Sequence, residues 1–337
     1  MDDRNKINNL SAIFEKVDTL EDRIEELDRE ILELLLFDQT SKTNILWCTD
    51  IYSKYGKEYG FSKSIKIDLI TGKNGNIIKP RNQKNLVEKK QRIKNNGEVF
   101  TPSWTCNHQN NHLDDEWFGQ KNIFNYEIFE SWEVNTSKIP FVLKSWMDYV
   151  TDIRLEITCG EAPYVISRYD TFSGRVIGLN NRIGLLDRKM RVINENVKSN
   201  QEWLDWAKKA FQSVYGYEWQ GDSLLIAREN LLYTFIDYYK SRFKIKPSIK
   251  ILKDISNIIS WNFWQMDGLK GVIPLSCNDK KVVQMDLFGE EITEKCLGCE
   301  TQEMLKHNGL YCLIMNWNNN KTEKFINAFK KGGVKGD

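Results

Sequence analysis

Arg154-Leu155-Glu156-Ile157-Thr158-Cys159-Gly160-Glu161-Ala162 is the stretch on which the fold turns. Arg154 to Ile157 read as a strand, and the strand runs into a turn of small residues, Thr158-Cys159-Gly160. A small-residue turn at a strand's carboxyl end lets a ligand approach the backbone closely, and a helix starting after it favours polar or anionic groups. With one glycine and no full glycine-rich loop, the string taken alone reads better as a structural turn.

Three further strings flank it. Val214-Tyr215-Gly216-Tyr217-Glu218-Trp219 reads as a strand ending in an acid, followed by the helical pattern of Leu224, Leu225, Ala227, Leu231, Leu232 and Phe235. In dinucleotide-type folds an acid at the end of the second strand accepts from ribose hydroxyls. Glu218 is the candidate here, with Asp222 as its rival, and Trp219 is placed to cover a base; an exposed acid beside a buried aromatic is the plain alternative. Ile258 to Leu269 reads as a buried strand leading to Gln265-Met266-Asp267-Gly268, although Asp-Gly is also a common turn pair. Gly97-Glu98-Val99-Phe100-Thr101-Pro102 precedes the glycine turn, and its proline restricts the backbone at the start of the next segment.

Taken in order, these strings resemble the cofactor half of the gamma-ordered adenine-specific DNA methyltransferases of restriction–modification systems, including the short proteins described as restriction endonuclease subunit M. The resemblance covers roughly Asp38 to Trp317. The family usually reads Asp-Pro-Ala-Cys-Gly-Ser-Gly where this chain has Glu156-Ile157-Thr158-Cys159-Gly160-Glu161-Ala162. Alanine at the last position carries a Cβ where glycine has none. The resemblance implies an α/β, Rossmann-like class I methyltransferase domain that holds S-adenosylmethionine. Phe100, Thr101 and Pro102 would line the methionine end, Glu156, Thr158 and Gly160 the turn, Glu218 the ribose, Trp219 the adenine face and Asp267 the adenine amine.

The family's catalytic Asn-Pro-Pro-Tyr is absent; only Pro274 follows Asp267. Transfer to an adenine amine needs acceptors that orient that amine and an aromatic that stacks on the flipped base. Leu313-Ile314-Met315-Asn316-Trp317 is a hydrophobic strand ending in Asn plus an aromatic, a weaker candidate for a degenerate substitute than simple absence. No catalytic residue is assigned. The expected function is the S-adenosylmethionine-binding subunit of a split DNA adenine N6-methyltransferase, in a restriction–modification or phage-associated system, with a companion polypeptide carrying the catalytic half. A sheet that stops after three cofactor strands leaves an apolar edge that another chain must cover. Two rivals stand: a catalytically degenerate DNA- or partner-binding protein, and a restriction endonuclease subunit. Against the second, Asp152, Glu156 and Glu161 lack the lysine of an Asp…Glu-x-Lys metal constellation.

The spacing of apolar residues predicts a helical arm over residues 1–36. Leu10, Ile13, Val17, Leu20, Ile24, Leu27, Ile31 and Leu34 alternate spacings of three and four, which gives one narrow apolar seam. Such a seam packs on its own domain or forms a coiled coil with a second chain, and both readings stand. Residues 37–95 are a mixed segment, with a short strand at Asn44 to Trp47 and a hairpin expected from Ile65 to Asn76. Its end carries a basic run, Lys79, Arg81, Lys84, Lys89, Lys90, Arg92 and Lys94, read as a phosphate-contacting patch over a solvated helix face. The resemblance assigns residues 96–275 to the cofactor domain. Residues 276–337 are a zinc-knuckle extension, in which Cys296, Cys299, His307 and Cys312 have the spacing of a closed, structural tetrahedral site. His108 and His112 are read as hydrogen-bonding residues of a polar loop.

The 337 residues are 41% hydrophobic and 28% charged, as in a globular protein, and no apolar run is long enough to span a bilayer. Net charge is +1, so no global field draws the chain to DNA and contact must use a local patch. With 7 cysteines and a Met-Asp-Asp-Arg start that lacks a secretory pattern, a reduced cytoplasmic protein is expected.

Overall fold

The structure, a computed structural model, describes residues 21–98, 101–278, 280–285 and 291–327. It is a mixed α/β protein with four small sheets among the described residues, the first a pair of antiparallel strands, β1 (Asn125–Ile128) and β2 (Ser131–Val134), and the helices α3 (Leu86–Asn96) and α5 (Trp146–Thr151) precede the central sheet in sequence. The central sheet has three parallel strands, β3 (Arg154–Glu156), β4 (Val214–Glu218) and β5 (Phe263–Gln265), in the order β3-β4-β5. The connection from β3 to β4 runs through α6 (Leu185–Asn196) and α7 (Asn200–Gln212), and that from β4 to β5 through α8 (Gly221–Phe243) and α9 (Ile249–Asn262). Side-chain caps start two of these helices: Ser199 accepts from Glu202 N, and Ser248 from Ile251 N.

Strand alternation divides the sheet residues between two faces. Val214, Gly216, Glu218, Phe263 and Gln265 turn toward α8 and α9 and are buried. Gly216 is required there, because a Cβ would stand 2.6 Å from the Phe263 ring. Leu155, Tyr215, Tyr217 and Trp264 turn the other way. Part of that face is covered by a hairpin, β8 (Leu313–Asn316) and β9 (Lys321–Lys324), through Phe325, which lies 5.0 Å from the Trp264 ring and 5.8 Å from Tyr217. The rest is open. A cavity of about 550 Å³ runs beside the hairpin, with Ile153, Leu155, Tyr215 and Trp264 in its wall. The outer edge of β3 pairs with no strand among the described residues, and Ile153, Leu155 and Ile157 are 67%, 40% and 63% exposed.

The arm is intramolecular where it is described. It divides into α1 (Glu21–Leu27) and α2 (Arg29–Leu36) because Asp28 leaves the helix and caps the second, accepting from Glu30 N. Ile24, Ile31, Leu32, Leu35 and Leu36 are buried, and α2 packs along α9. The helix is therefore broken at Asp28, and of the described seam positions Ile24 and Ile31 face the domain core while Leu27 is exposed and Leu34 half-buried; Leu10, Ile13, Val17 and Leu20 lie outside the described residues. Arg228 of α8 locks this packing. Its guanidinium donates to the carbonyls of Leu35, Phe37, Ser260 and Phe263.

The mixed segment belongs to the same core, which takes in Trp47, Tyr52, Ile65, Ile70 and Ile78. The expected hairpin from Ile65 to Asn76 is not formed. Short 3-10 turns at Ile67–Leu69 and Gly72–Asn74 replace it, and Leu46 instead bridges Ser64. Three of the seven basic residues are buried. Arg92 and Lys84 pair with Asp222, Lys84 at 3.3 Å, and Arg81 lies 3.4 Å from Glu98. Much of the run is therefore internal ion pairing, which corrects the reading of the whole run as a phosphate patch. Lys79, Lys90 and Lys94 remain exposed. His108 and His112 sit on α4 (Ser103–Phe118) in place of a loop, and His108 Nδ1 is 2.8 Å from Glu127. No helix among the described residues is long and apolar enough to cross a membrane.

Candidate cofactor cleft and metal cluster

At the carboxyl ends of β3 and β4 lies a cleft of about 740 Å³. Ligands of open parallel sheets bind in this position, because strand ends and their loops leave a crevice there. Thr101, Glu156, Thr158, Gly160, Glu218 and Trp219, each a residue singled out above, all line it.

The turn after β3 is tightly wound. Thr158, Gly160 and Ala162 have φ of 45°, 53° and 61°. Ala162 thus keeps the left-handed backbone that glycine adopts freely, at a cost of about 1–2 kcal/mol. Thr158, β-branched, is the more unusual of the two. The helix expected after the turn does not form. Val165 and Ile166 instead donate back to the Ala162 carbonyl, and Glu156 accepts from Val165 N at 3.1 Å and Tyr164 N at 3.4 Å. No helix dipole therefore serves this turn.

Glu218 holds the two strand ends together. One carboxylate oxygen accepts from Gly160 N at 2.8 Å; the other accepts from Trp219 N and Gln220 N. Burial pushes the Glu218 carboxyl up, against these three hydrogen bonds. Glu156 is pushed further, to about 8, again by burial. Neither accepts from a cationic side chain. Asp222, the rival for the ribose role, is engaged elsewhere. Burial would raise it, but Arg92 and Lys84 hold it down at about 2, and Tyr52 donates to it at 2.7 Å.

Four glutamates, Glu98, Glu156, Glu161 and Glu218, line the cleft, and no Lys, Arg or His does among the described residues. Arg81 and Arg92 approach Glu98, at 3.4 and 3.3 Å, without lining the cleft themselves. Glu161 accepts from Arg81 N and from the Tyr169 hydroxyl. Carboxyls without a basic side chain in the lining disfavour phosphate, and a bound cation would draw the burial-raised Glu156, Glu161 and Glu218 back toward their ionised form.

Two of the expected cofactor residues do not line this cleft. Pro102 precedes α4 as its N-cap residue, and Ser103 N donates to Asp170. Asp267 closes its own turn, accepting from Leu269 N and Lys270 N at 3.1 and 3.3 Å. Phe100 lies outside the described residues. Cys48 and Phe61, which sequence reasoning did not select, do line the cleft. No local pattern marks them; tertiary pairing brings them there.

The metal cluster is Cys277, Cys296, Cys299 and His307. Cys277 Sγ lies 3.2 Å from Cys296 Sγ, 3.6 Å from Cys299 Sγ and 3.5 Å from His307 Nδ1. Cys296 and Cys299 lie 3.6 and 3.7 Å from the same nitrogen. A tetrahedron with ~2.3 Å metal–sulfur bonds has sulfur–sulfur edges of about 3.8 Å, so these four atoms are placed to hold one ion. Gly298 makes the closure possible, since a Cβ would stand 2.5 Å from His307 N. Cys312 is not the fourth member. It is fully buried and its thiol points to the Gln265 carbonyl at 3.5 Å. The strands Lys280–Met285 and Glu291–Glu294 (β6 and β7) pair antiparallel between Cys277 and Cys296, and this separates Cys277 from the Cys-x2-Cys pair in sequence.

The chain matches no protein-family model, no curated protein and no solved structure.

Proposed function

We propose that this chain is the S-adenosylmethionine-binding subunit of a split DNA adenine N6-methyltransferase, built on a Rossmann-like cofactor domain. The observation that carries the reading is the cleft of four glutamates, without a basic residue, at the ends of two adjacent parallel strands. S-adenosylmethionine brings a nucleoside, a sulfonium, an ammonium and a single carboxylate, a net positive charge without phosphate, so it suits acidic walls better than nucleotides do. Glu218 would exchange its backbone partners for ribose hydroxyls, and Trp219 would cover the base. Glu156, which burial keeps protonated up to about pH 8 in the free protein, would ionise beside the bound positive charge.

The acceptor half of the reaction is assigned to a companion polypeptide. Leu313–Asn316 does not substitute for it: the strand pairs antiparallel with β9, and the Asn316 amide is 3.3 Å from Glu323. The free edge of β3, with Ile153, Leu155 and Ile157 exposed, is where a further strand would pair, and Ile157 also lines the cleft. A strand added there would end beside the donor methyl. The Cys277, Cys296, Cys299 and His307 set would hold structural zinc, because four protein ligands leave no open position. DNA contact would use the exposed lysines and the companion. The protein is assigned to the cytoplasm.

Calorimetric titration with S-adenosylmethionine tests the reading. Binding by the wild-type chain, lost in Glu218→Ala, supports it; binding unchanged in Glu218→Ala removes this cleft as the site. The chain alone should transfer no methyl group to DNA.

A further inference from the structure

Two walls of the cleft differ in chemistry. Glu98 and Glu161 both meet Arg81, Glu98 through the guanidinium and Glu161 through the backbone N–H. The other wall is aromatic and uncharged. Phe61 and Trp219 are half-buried, with ring centroids 6.5 Å apart and planes tilted by 46°. Cys48 lies beside them, its carbonyl accepting from the Trp219 indole at 3.2 Å. Burial pushes the Cys48 thiol up to about 12, so it stays neutral.

Phe61 is held in place by a chain of bonds that begins at the sheet. Gln265 of β5 exchanges two hydrogen bonds with Leu46, at 2.7 and 2.8 Å. Gly221, the first residue of α8, donates to the Trp47 carbonyl. Its missing Cβ matters, because one would stand 2.0 Å from the Leu46 carbonyl oxygen. Cys48 N then donates to the Phe61 carbonyl at 2.9 Å and Trp47 N to the Lys63 carbonyl at 2.9 Å. The backbone at Phe61 is thus fixed before any ligand arrives, which lowers the ordering cost of binding against it. An aromatic face partly open inside a cleft gains most from a flat partner.

We propose that Phe61 is a specificity-determining residue that stacks, together with Trp219, on the purine base of the bound nucleoside, while the cationic tail lies toward Glu98 and Glu161. The segment from Leu46 to Ser64 is on this view a wall of the cofactor site. The inference rests on the S-adenosylmethionine reading and divides that ligand between the two walls.

The test titrates wild-type, Phe61→Ala, Phe61→Tyr and Glu161→Gln with two ligands: S-adenosylmethionine, and 5′-methylthioadenosine, which has the same base and ribose without the charged tail. Phe61→Ala should weaken both by the same factor, between about 5- and 150-fold, the range that loss of one base–aromatic stack corresponds to. Phe61→Tyr should restore both. Glu161→Gln should weaken S-adenosylmethionine alone. Thermal melts check folding, and Phe61→Leu, which keeps apolar bulk without a π face, substitutes if the alanine variant does not fold; it should also weaken both ligands. Wild-type affinity for both ligands in folded Phe61→Ala or Phe61→Leu, or loss for S-adenosylmethionine alone, overturns the proposal. If the wild-type chain binds S-adenosylmethionine and Phe61 has no effect, only this inference falls. If it binds neither ligand, the cofactor reading falls with it.

Discussion

Replacing Glu156 with glutamine should remove a pH-dependent loss of stability. In the fold, burial raises this carboxyl from its ordinary 4.5 to about 8. The folded protein therefore keeps a proton that the unfolded chain releases. The stabilisation is fully present below about 4.5 and is lost as pH rises toward about 8, at about 1.4 kcal/mol per unit. By about pH 8 the wild-type chain has given up roughly 4–5 kcal/mol, a large part of a typical folding free energy. Glutamine resembles the protonated form, and its carbonyl oxygen can accept from Val165 N as Glu156 does at 3.1 Å. Glu161, Glu218 and Glu229 are also raised by burial, so the variant retains part of the slope. The informative quantity is the difference between variant and wild type. Urea unfolding at intervals from about pH 5 to about pH 8 should give a difference that grows to about 4 kcal/mol. A difference that stays constant with pH refutes the assignment of a protonated Glu156.

Other outcomes follow from the packing. Gly221→Ala should cost about 1–3 kcal/mol or prevent folding, because its Cβ meets the Leu46 carbonyl oxygen at 2.0 Å; chemical denaturation measures it. Arg228→Met should destabilise by about 3 kcal/mol or more, since four backbone carbonyls lose their donor, three of these bonding sites being buried, and a Tm shift of less than a few degrees would contradict it. Cys277→Ser should lose bound zinc and Cys312→Ser should keep it, as atomic absorption of freshly purified protein will report. Leu155→Arg should leave S-adenosylmethionine binding intact, because the side chain is 40% exposed on the open sheet face, while abolishing assembly with a companion that adds a strand to β3.

What could be read from the sequence was what local chemistry encodes. Glu156, Thr158, Gly160, Glu218 and Trp219 lie within five residues of a strand end, and strand register alone brings them to one cleft. Glu98 and Glu161 stood inside the same strings, but nothing local separated a cleft-facing acid from a solvated one. Cys48 and Phe61 were hidden because their position depends on Gln265 reaching Leu46 across 219 residues. Asp267 shows the opposite failure. Asp-Gly makes a good turn by itself, and the carboxylate closes that turn. The helical character of the heptad was legible, but Asp28 is a strong N-cap and divides the helix, and the buried residues of α2, which packs on α9, are Ile31, Leu32, Leu35 and Leu36, of which only Ile31 is a heptad position. In the cysteine cluster the Cys-x2-Cys-x7-His core was legible, and the remaining choice between Cys277 and Cys312 depended on the antiparallel pairing of β6 with β7, which closes the distance to Cys277.

The most direct measurement is equilibrium dialysis of the purified chain, at a pH near 8, against S-adenosylmethionine and ATP in parallel. Four glutamates without a basic residue in the cleft lead to saturable binding of S-adenosylmethionine and none of ATP. Binding of ATP, or of neither ligand, would contradict the claim that this cleft holds a cationic nucleoside.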